Sequence, residues 1–365
     1  IKVGFIGMTL EGTPEIVTPT GIEHLDFLDE ADTANRYANE LRRQHGVRAI
    51  VVLLHEGGAQ TSPFGINGCN GVSGPIVDIV GRTSKQVDLF VTGHTHQPYN
   101  CVIDGRPVTS AQSFGRLITD IDMKLDRKTK DVSSVTVNNR IITQTVDKAT
   151  DVSGLIAKYD EIAGPLRDRV IGQASALLSR DPNTAGESPL GDIIADAQLE
   201  ATAPADKGGA VAAFMNPGGI RADFDAGDVT YGEAFTVQPF GNSLVTMTLT
   251  GAQLDTLLEE QWCEQARPRI LQPSAGFTYT WDNAAPDCEK VDPASIKLNG
   301  VTVDPAGSYR ITVNSFLAAG GDSFGVLPDG TDRLGGDIDL DALEAYFVAH
   351  SPVGPGPQDR ITRLN

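Results

Sequence analysis

The sequence predicts an α/β domain followed by a mixed α+β domain, over 1–149 and 181–365, with a connecting helix over 150–180. Three observations predict this. Apolar strand-like runs alternate with helical periodicity in the first part, the repeat turns helical after Thr150, and the last part mixes both without a fixed alternation. At 365 residues the chain has room for two cores, at ~100–200 residues per domain.

In order along the chain, IKVGFIG (1–7) reads as a buried strand. FLDEADTANRYANELRRQHG (27–46) carries Phe27, Leu28, Tyr37, Ala38 and Leu41 at helical spacing and stops at Gly46. RAIVVLLH (48–55) is an apolar run of the kind a strand shows when covered on both faces. A glycine-rich loop (56–71) leads to a short helix around 73–85, and VDLFVTGH (87–94) is the next strand. Residues 106–112, 116–126 and 133–146 read as a run of antiparallel strands, with turns at Asp104-Gly105 and Asp126-Arg127-Lys128. Over 150–180 Leu155, Ile156, Tyr159, Ile162, Leu166, Val170 and Ile171 recur at helical spacing, with a kink expected at Gly164-Pro165. Beyond it, helices at 190–202, 250–262 and 339–350 are interspersed with strands at 210–216, 243–250, 277–282 and 309–316.

Composition excludes two classes of function. Lys plus Arg number 29 and Asp plus Glu 48, a net charge of −19, which opposes a nucleic-acid surface built on phosphate neutralisation. Any phosphate must then be held by a local cluster or a metal. No run of ~18 apolar residues exists to span a bilayer. Ile1 opens directly into a strand with no charged leader before it, so the chain is expected to begin inside a longer one. Four cysteines allow three pairings. Local pairing, Cys69 with Cys101 and Cys263 with Cys288, places one disulfide in each half and implies an oxidising compartment; the alternative is four buried thiols.

Three of the six histidines are His55, His94 and His96, and two expected strands end in one. In open α/β sheets the crevice beyond the carboxyl ends of the strands is where function sits. Gly93 lets the chain turn, and His94 and His96, two apart, can serve one centre or two adjacent ions. Imidazole is a common ligand of Zn, Mn, Fe or Ni. Taken singly, each histidine is as well explained as a polar strand end or turn.

VVLLHEGG and LFVTGHTH resemble the last two metal-binding blocks of the calcineurin-like metallophosphoesterases, and the second half resembles the carboxyl-terminal domain of the 5′-nucleotidases. The resemblance implies a layered metallophosphoesterase domain, partial here, with two divalent ions such as Zn or Mn in the full-length protein. It places His55 and His94 on one ion and His96 on the other. The family's D-x-H, its G-D with a bridging Asp, and its G-N-H-[DE] with a catalytic His have no counterpart in these residues, so no catalytic residue is assigned and half a metal site is expected.

In the second half, NPGGIR (216–221) places Gly219 and a guanidinium, Arg221, at a strand end. QPFGN (238–242) and NSFLAAGGDSF (314–324) set Phe240 and Phe316 beside glycines, with Asn242 and Asp322 close by. Two such rings can sandwich a base, and a carboxylate can accept from ribose hydroxyls; phenylalanines beside glycines are also ordinary core residues. The resemblance implies that Asn216 and Arg221 bind substrate, that Phe240 and Phe316 clamp the base and that Asp322 contacts the ribose. The family's opening block is matched at Glu187, Gly191 and Asp192, but the arginine that often precedes it is missing. The function implied is nucleotide phosphate-ester hydrolysis by a secreted or extracytoplasmic protein, with a nucleotide or nucleoside as its small-molecule partner and an amino-terminal segment of the same protein completing the site. The competing reading is a nucleoside-binding module without catalysis.

Overall fold

A computed structural model describes residues 1–365 except 18–20, 64, 264 and 266. Two compact units result: Ile1–Pro14 with His24–Lys148, and Glu15–Glu23 with Ala149–Asn365. Both are mixed α/β structures.

In the first unit β1 (Val3–Met8), β2 (Ala49–Leu54), β3 (Leu89–Thr92), β4 (Pro98–Ile103) and β5 (Arg106–Ala111) form one sheet in the order β1-β2-β3-β5-β4. All pairs are parallel except the β4–β5 hairpin, which turns at Asp104 and Gly105. Helices α1 (Glu30–His45) and α2 (Pro75–Arg82) bury their apolar residues against Ile6, Ile50, Val52 and Phe90 of the sheet. Helix α1 begins later than the spacing predicts, at Asp29, whose side chain accepts the Asp32 N–H at 2.8 Å. Its buried stripe is Ala31, Ala34 and Ala38, while Leu28 and Tyr37 are exposed. Of the residues the spacing picks out, Ala38 is buried and Leu41 packs against the core, and the small side chains of the stripe let the helix lie close to the sheet.

The expected antiparallel run after residue 105 is also corrected. Strand β5 lies between β3 and β4, while β6 (Leu117–Leu125) and β7 (Val132–Ile141) pair only with each other as a second sheet. Asn139 of β7 ties that hairpin down by donating to the carbonyls of Ile66 at 2.7 Å and Ser110 at 2.9 Å. A Cys69–Cys101 disulfide joins the glycine-rich loop to β4; Phe64 of that loop lies outside the described residues.

The second unit opens with α3 (Thr150–Arg167), which stops well short of 180. Pro165 withdraws one backbone donor near its end, and Val170 and Ile171 pass into β8 (Val170–Ala174), paired antiparallel with β10 (Gly227–Thr230). Its apolar residues Leu155, Ile156, Tyr159, Ile162 and Leu166 are all exposed. The main sheet runs β12 (Gln272–Pro273), β9 (Ala212–Met215), β16 (Ser308–Asn314), β11 (Ser243–Thr250), β17 (Thr331–Ile338). A smaller one runs β15 (Val301–Thr302), β14 (Lys297–Leu298), β13 (Phe277–Asp282), β18 (Ile361–Leu364). Helices α4 (Pro189–Thr202) and α8 (Asp339–His350) share a core with Phe224. The short α5 (Tyr231–Val237) and α7 (Ser315–Ala318) lead into or out of strands, and α6 (Gly251–Glu259) packs with Trp262, Trp281 and β13 in a second core. Cys263 and Cys288 are bonded, so both disulfides are local. No helix among the described residues is long and apolar enough to cross a membrane.

Candidate functional site

In the first unit β2 and β3 are parallel neighbours in register, Leu54 opposite Thr92, so both end on one edge of the sheet. The next residues are His55 and Gly93-His94. Their rings meet edge to face, with centroids 5.2 Å apart at 64°. Two imidazoles, a common type of ligand for divalent ions, are thus neighbours at one end of the sheet. The two loops are fastened together: the Thr95 hydroxyl donates to the Gly58 carbonyl at 2.8 Å, and a Cβ on Gly57 would collide with the Gly93 carbonyl oxygen. Side chains larger than hydrogen at Gly57 would therefore push the loops apart.

His94 (φ 63°) and His96 (φ 57°) both take the left-handed conformation, which turns the chain sharply between them. His96 packs its ring edge to face on Phe114 at 5.6 Å. Among the described residues the three histidines do not make a three-ligand cluster, and the one group of three candidate ligand atoms within 4.8 Å is Glu11, Asp29 and Glu30. These carboxylates already have tasks, since Asp29 caps α1 and pairs with Arg82 at 2.7 Å, and Glu30 accepts the Glu11 N–H at 2.7 Å. Glu56, which sequence reasoning passed over although it follows His55, is 6% exposed and accepts the Gly57 N–H at 2.6 Å. Burial pushes its carboxyl above the usual range.

In the second unit β9 and β16 are parallel neighbours; β16 ends in Asn314 and β9 is followed by Asn216. Asn314 caps α7 and donates to Asn216 Oδ1 at 2.9 Å; Asn216 in turn donates to Asp322 Oδ2 at 2.7 Å. Gly219 is pressed against Met215 and Asn216, where a Cβ would clash with both side chains. Arg221 donates to the Gly218 carbonyl at 3.1 Å, and its guanidinium lies 5.8 Å from the centre of the Phe240 ring. Phe240 is 59% exposed. Phe316 is half-buried, its ring lying over Gly321, next to Asp322.

The Asn242 side chain accepts the Ser315 hydroxyl at 3.2 Å, and its backbone carbonyl accepts the Asp339 N–H. In this unit the sequence pattern also passed over Arg180 and Arg269. Arg180, which donates to the Ile220 carbonyl at 2.9 Å, is close enough to Arg221 to lower its pKa, second to partial desolvation. Arg269 lies 3.2 Å from Asp322 Oδ1. Neither sits in a recognisable pattern; Arg180 stands seven residues ahead of Glu187, outside the spacing in which an arginine was sought. The second unit thus gathers guanidinium, exposed aromatic ring, amide and carboxylate, the groups suited to an anion carried on a hydroxylated planar ligand.

Residues 170–329 match the family model of the 5′-nucleotidase C-terminal domain. The second unit contains a 5′-nucleotidase C-terminal domain. The likeness to nucleotidases extends beyond that match. The 5′-nucleotidase precursor of Thermus thermophilus superposes with a TM-score of 0.81 at 28% identity, covering 100% of this chain and 72% of that one. Endonuclease YhcR of Bacillus subtilis is 31% identical over 368 residues, 99% of this chain and 28% of its own length. The cell wall protein Lmo0130 of Listeria monocytogenes is 30% identical over 379 residues, 97% of this chain and 47% of its own length. The chain therefore spans between about a quarter and a half of these two relatives.

Proposed function

We propose that this chain forms the nucleotide-binding part and half of the metal site of an extracytoplasmic 5′-nucleotidase-type phosphohydrolase. The observation that carries the reading is the cluster of Arg221, Phe240, Asn216 and Asp322 at the sheet end of the second unit, within a domain of the matching family. In it Phe240 and Phe316 hold the base, Asp322 takes the ribose hydroxyls, and Arg221 with Arg180 takes the phosphate. Guanidinium groups suit this last task because they present fixed, paired donors to phosphate oxygens.

In the first unit His55 and His94 would hold one divalent ion and His96 a second. Bound ions of this kind neutralise phosphate charge and lower the pKa of a water for in-line attack. The bridging carboxylate and the general acid that such chemistry needs have no counterpart in these 365 residues, so the reading places them on another segment of the same protein. Two local disulfides support an oxidising compartment.

The missing catalytic motifs favour one competing reading, a nucleoside-binding module without hydrolysis. Calorimetric titration of adenosine monophosphate and adenosine into the chain tests the proposal. Monophosphate is expected to bind more tightly, and Arg221→Ala to abolish the difference; equal affinities in the unaltered chain would overturn the phosphate assignment.

A further inference from the structure

Asp322 sits in a costly position. Its backbone is left-handed (φ 58°) between Gly320 (φ 91°) and Ser323 (φ 63°), and the residue is only 8% exposed. A carboxylate so placed turns away or takes up a proton unless neighbouring groups hold it. Asn216 supplies one of those groups. The others come from one loop: Gln265 donates its side-chain amide to the Asp322 backbone carbonyl at 2.8 Å, and Arg269 brings Nη1 to 3.2 Å from Oδ1.

That loop is itself anchored. The Arg269 N–H donates to the Gln261 carbonyl at 2.9 Å, and the buried Gln261 side chain accepts both the Leu271 N–H at 2.6 Å and the Tyr279 hydroxyl at 3.1 Å. Cys263, two residues before Gln265, is bonded to Cys288. Main chain and side chain of Asp322 are thus contacted by Gln265 and Arg269 respectively.

We propose that Arg269 is a positioning residue which, with Gln265, fixes the Asp322 carboxylate so that its free lone pairs face the two vicinal hydroxyls of a ribose. A carboxylate offers about four acceptor positions; Asn216 takes one by hydrogen bond, and Arg269 approaches as an ion pair without hydrogen-bonding it, which leaves acceptor positions for a cis-diol. The inference rests on the reading of Asp322 as the ribose contact. Burial pushes the Asp322 carboxyl up, and Arg269 is the chief opposing influence, followed by Asn216 and then Arg267. Arg269 and Arg267 are the charged groups that act on it among the described residues.

The test is calorimetric titration of the chain with adenosine and with 2′,3′-dideoxyadenosine, which lacks both hydroxyls, between pH 5 and pH 8. Arg269→Met is expected to weaken adenosine about tenfold and leave dideoxyadenosine within about twofold, which also shows that the variant is folded. The acid limb of adenosine binding should move up in pH, because the cation that opposes burial at Asp322 is gone. Arg269→Lys should restore most of the loss, and Gln265→Ala should give a smaller loss confined to adenosine. Equal weakening of both ligands, or no change in either, overturns the role of Arg269. If the unaltered chain binds both ligands equally, the ribose reading of Asp322 fails and the inference with it.

Discussion

The ring of His94 meets that of His55 edge to face at 5.2 Å, and the two residues come from parallel neighbouring strands 39 positions apart. Because imidazoles must shed their protons to bind a metal, we expect the chain to take up Zn²⁺ or Mn²⁺ at neutral pH and to release it in acid. His94→Ala should weaken that uptake at least tenfold, read by calorimetry, with the far-ultraviolet dichroism unchanged. Equal uptake by the variant would show that the ion sits elsewhere.

Thr95 and Gly57 hold that pair together. Gly57→Ala, which puts a methyl group against the Gly93 carbonyl, should lower metal affinity nearly as much as loss of a histidine. Proton spectra of the two imidazoles would register the change directly, and unaltered spectra would contradict it.

Because the sequence holds neither a D-x-H nor a G-N-H-[DE] motif, the proposed function predicts that the purified chain hydrolyses adenosine monophosphate negligibly with any divalent metal. Turnover near the enzymatic range of ~1–10³ per second, measured by phosphate release, would refute this.

Phe240 and Phe316 differ in what their removal should do. Phe240 is largely exposed, so Phe240→Ala should reduce adenosine binding by about 5- to 160-fold, the worth of ~1–3 kcal/mol per stacked base, at unchanged melting temperature. Phe316 packs on Gly321 and on the core, so Phe316→Ala should lower both binding and stability. A melting temperature that falls with Phe240→Ala would place that ring in the core instead.

Asp192, 2% exposed on α4, has its carboxyl pushed up to about 8, chiefly by burial, with Arg360 opposing and Glu187 adding. A raised carboxyl favours the folded state fully below its unfolded value near pH 4, and that contribution is lost as pH rises through the folded value. Asp192→Asn should match the unaltered protein at pH 4 and exceed it increasingly up to about pH 8, in denaturant midpoints. A variant less stable at pH 8 would show an ionised Asp192 paired with Arg360.

Much of the histidine end of the first sheet was legible before folding. AIVVLL and LFVT are continuous apolar runs, as strands covered on both faces must be, and parallel strands that share a sheet end on the same edge. That rule alone brings His55 to His94. Sheet β9-β16 repeats it with Asn216 and Asn314. Disulfide partners were legible as well, since local pairs close short loops.

Tertiary structure decided the rest. The inner face of α1 is an alanine stripe because closeness to the sheet outweighs side-chain size, which spacing of large residues does not reveal. Helix α3 ends at Arg167 because Val170–Ala174 finds a partner in Gly227–Thr230, more than fifty residues on. Arg180 and Arg269 join the second site for a similar reason. Neither carries a pattern of its own, and each is set in place by the folded backbone: Arg180 beside Arg221, and Arg269 beside a carboxylate whose pKa burial pushes up. Periodicity reports what a residue's near neighbours require, whereas charge at a site is set by groups distant in sequence whose approach only the packed chain determines.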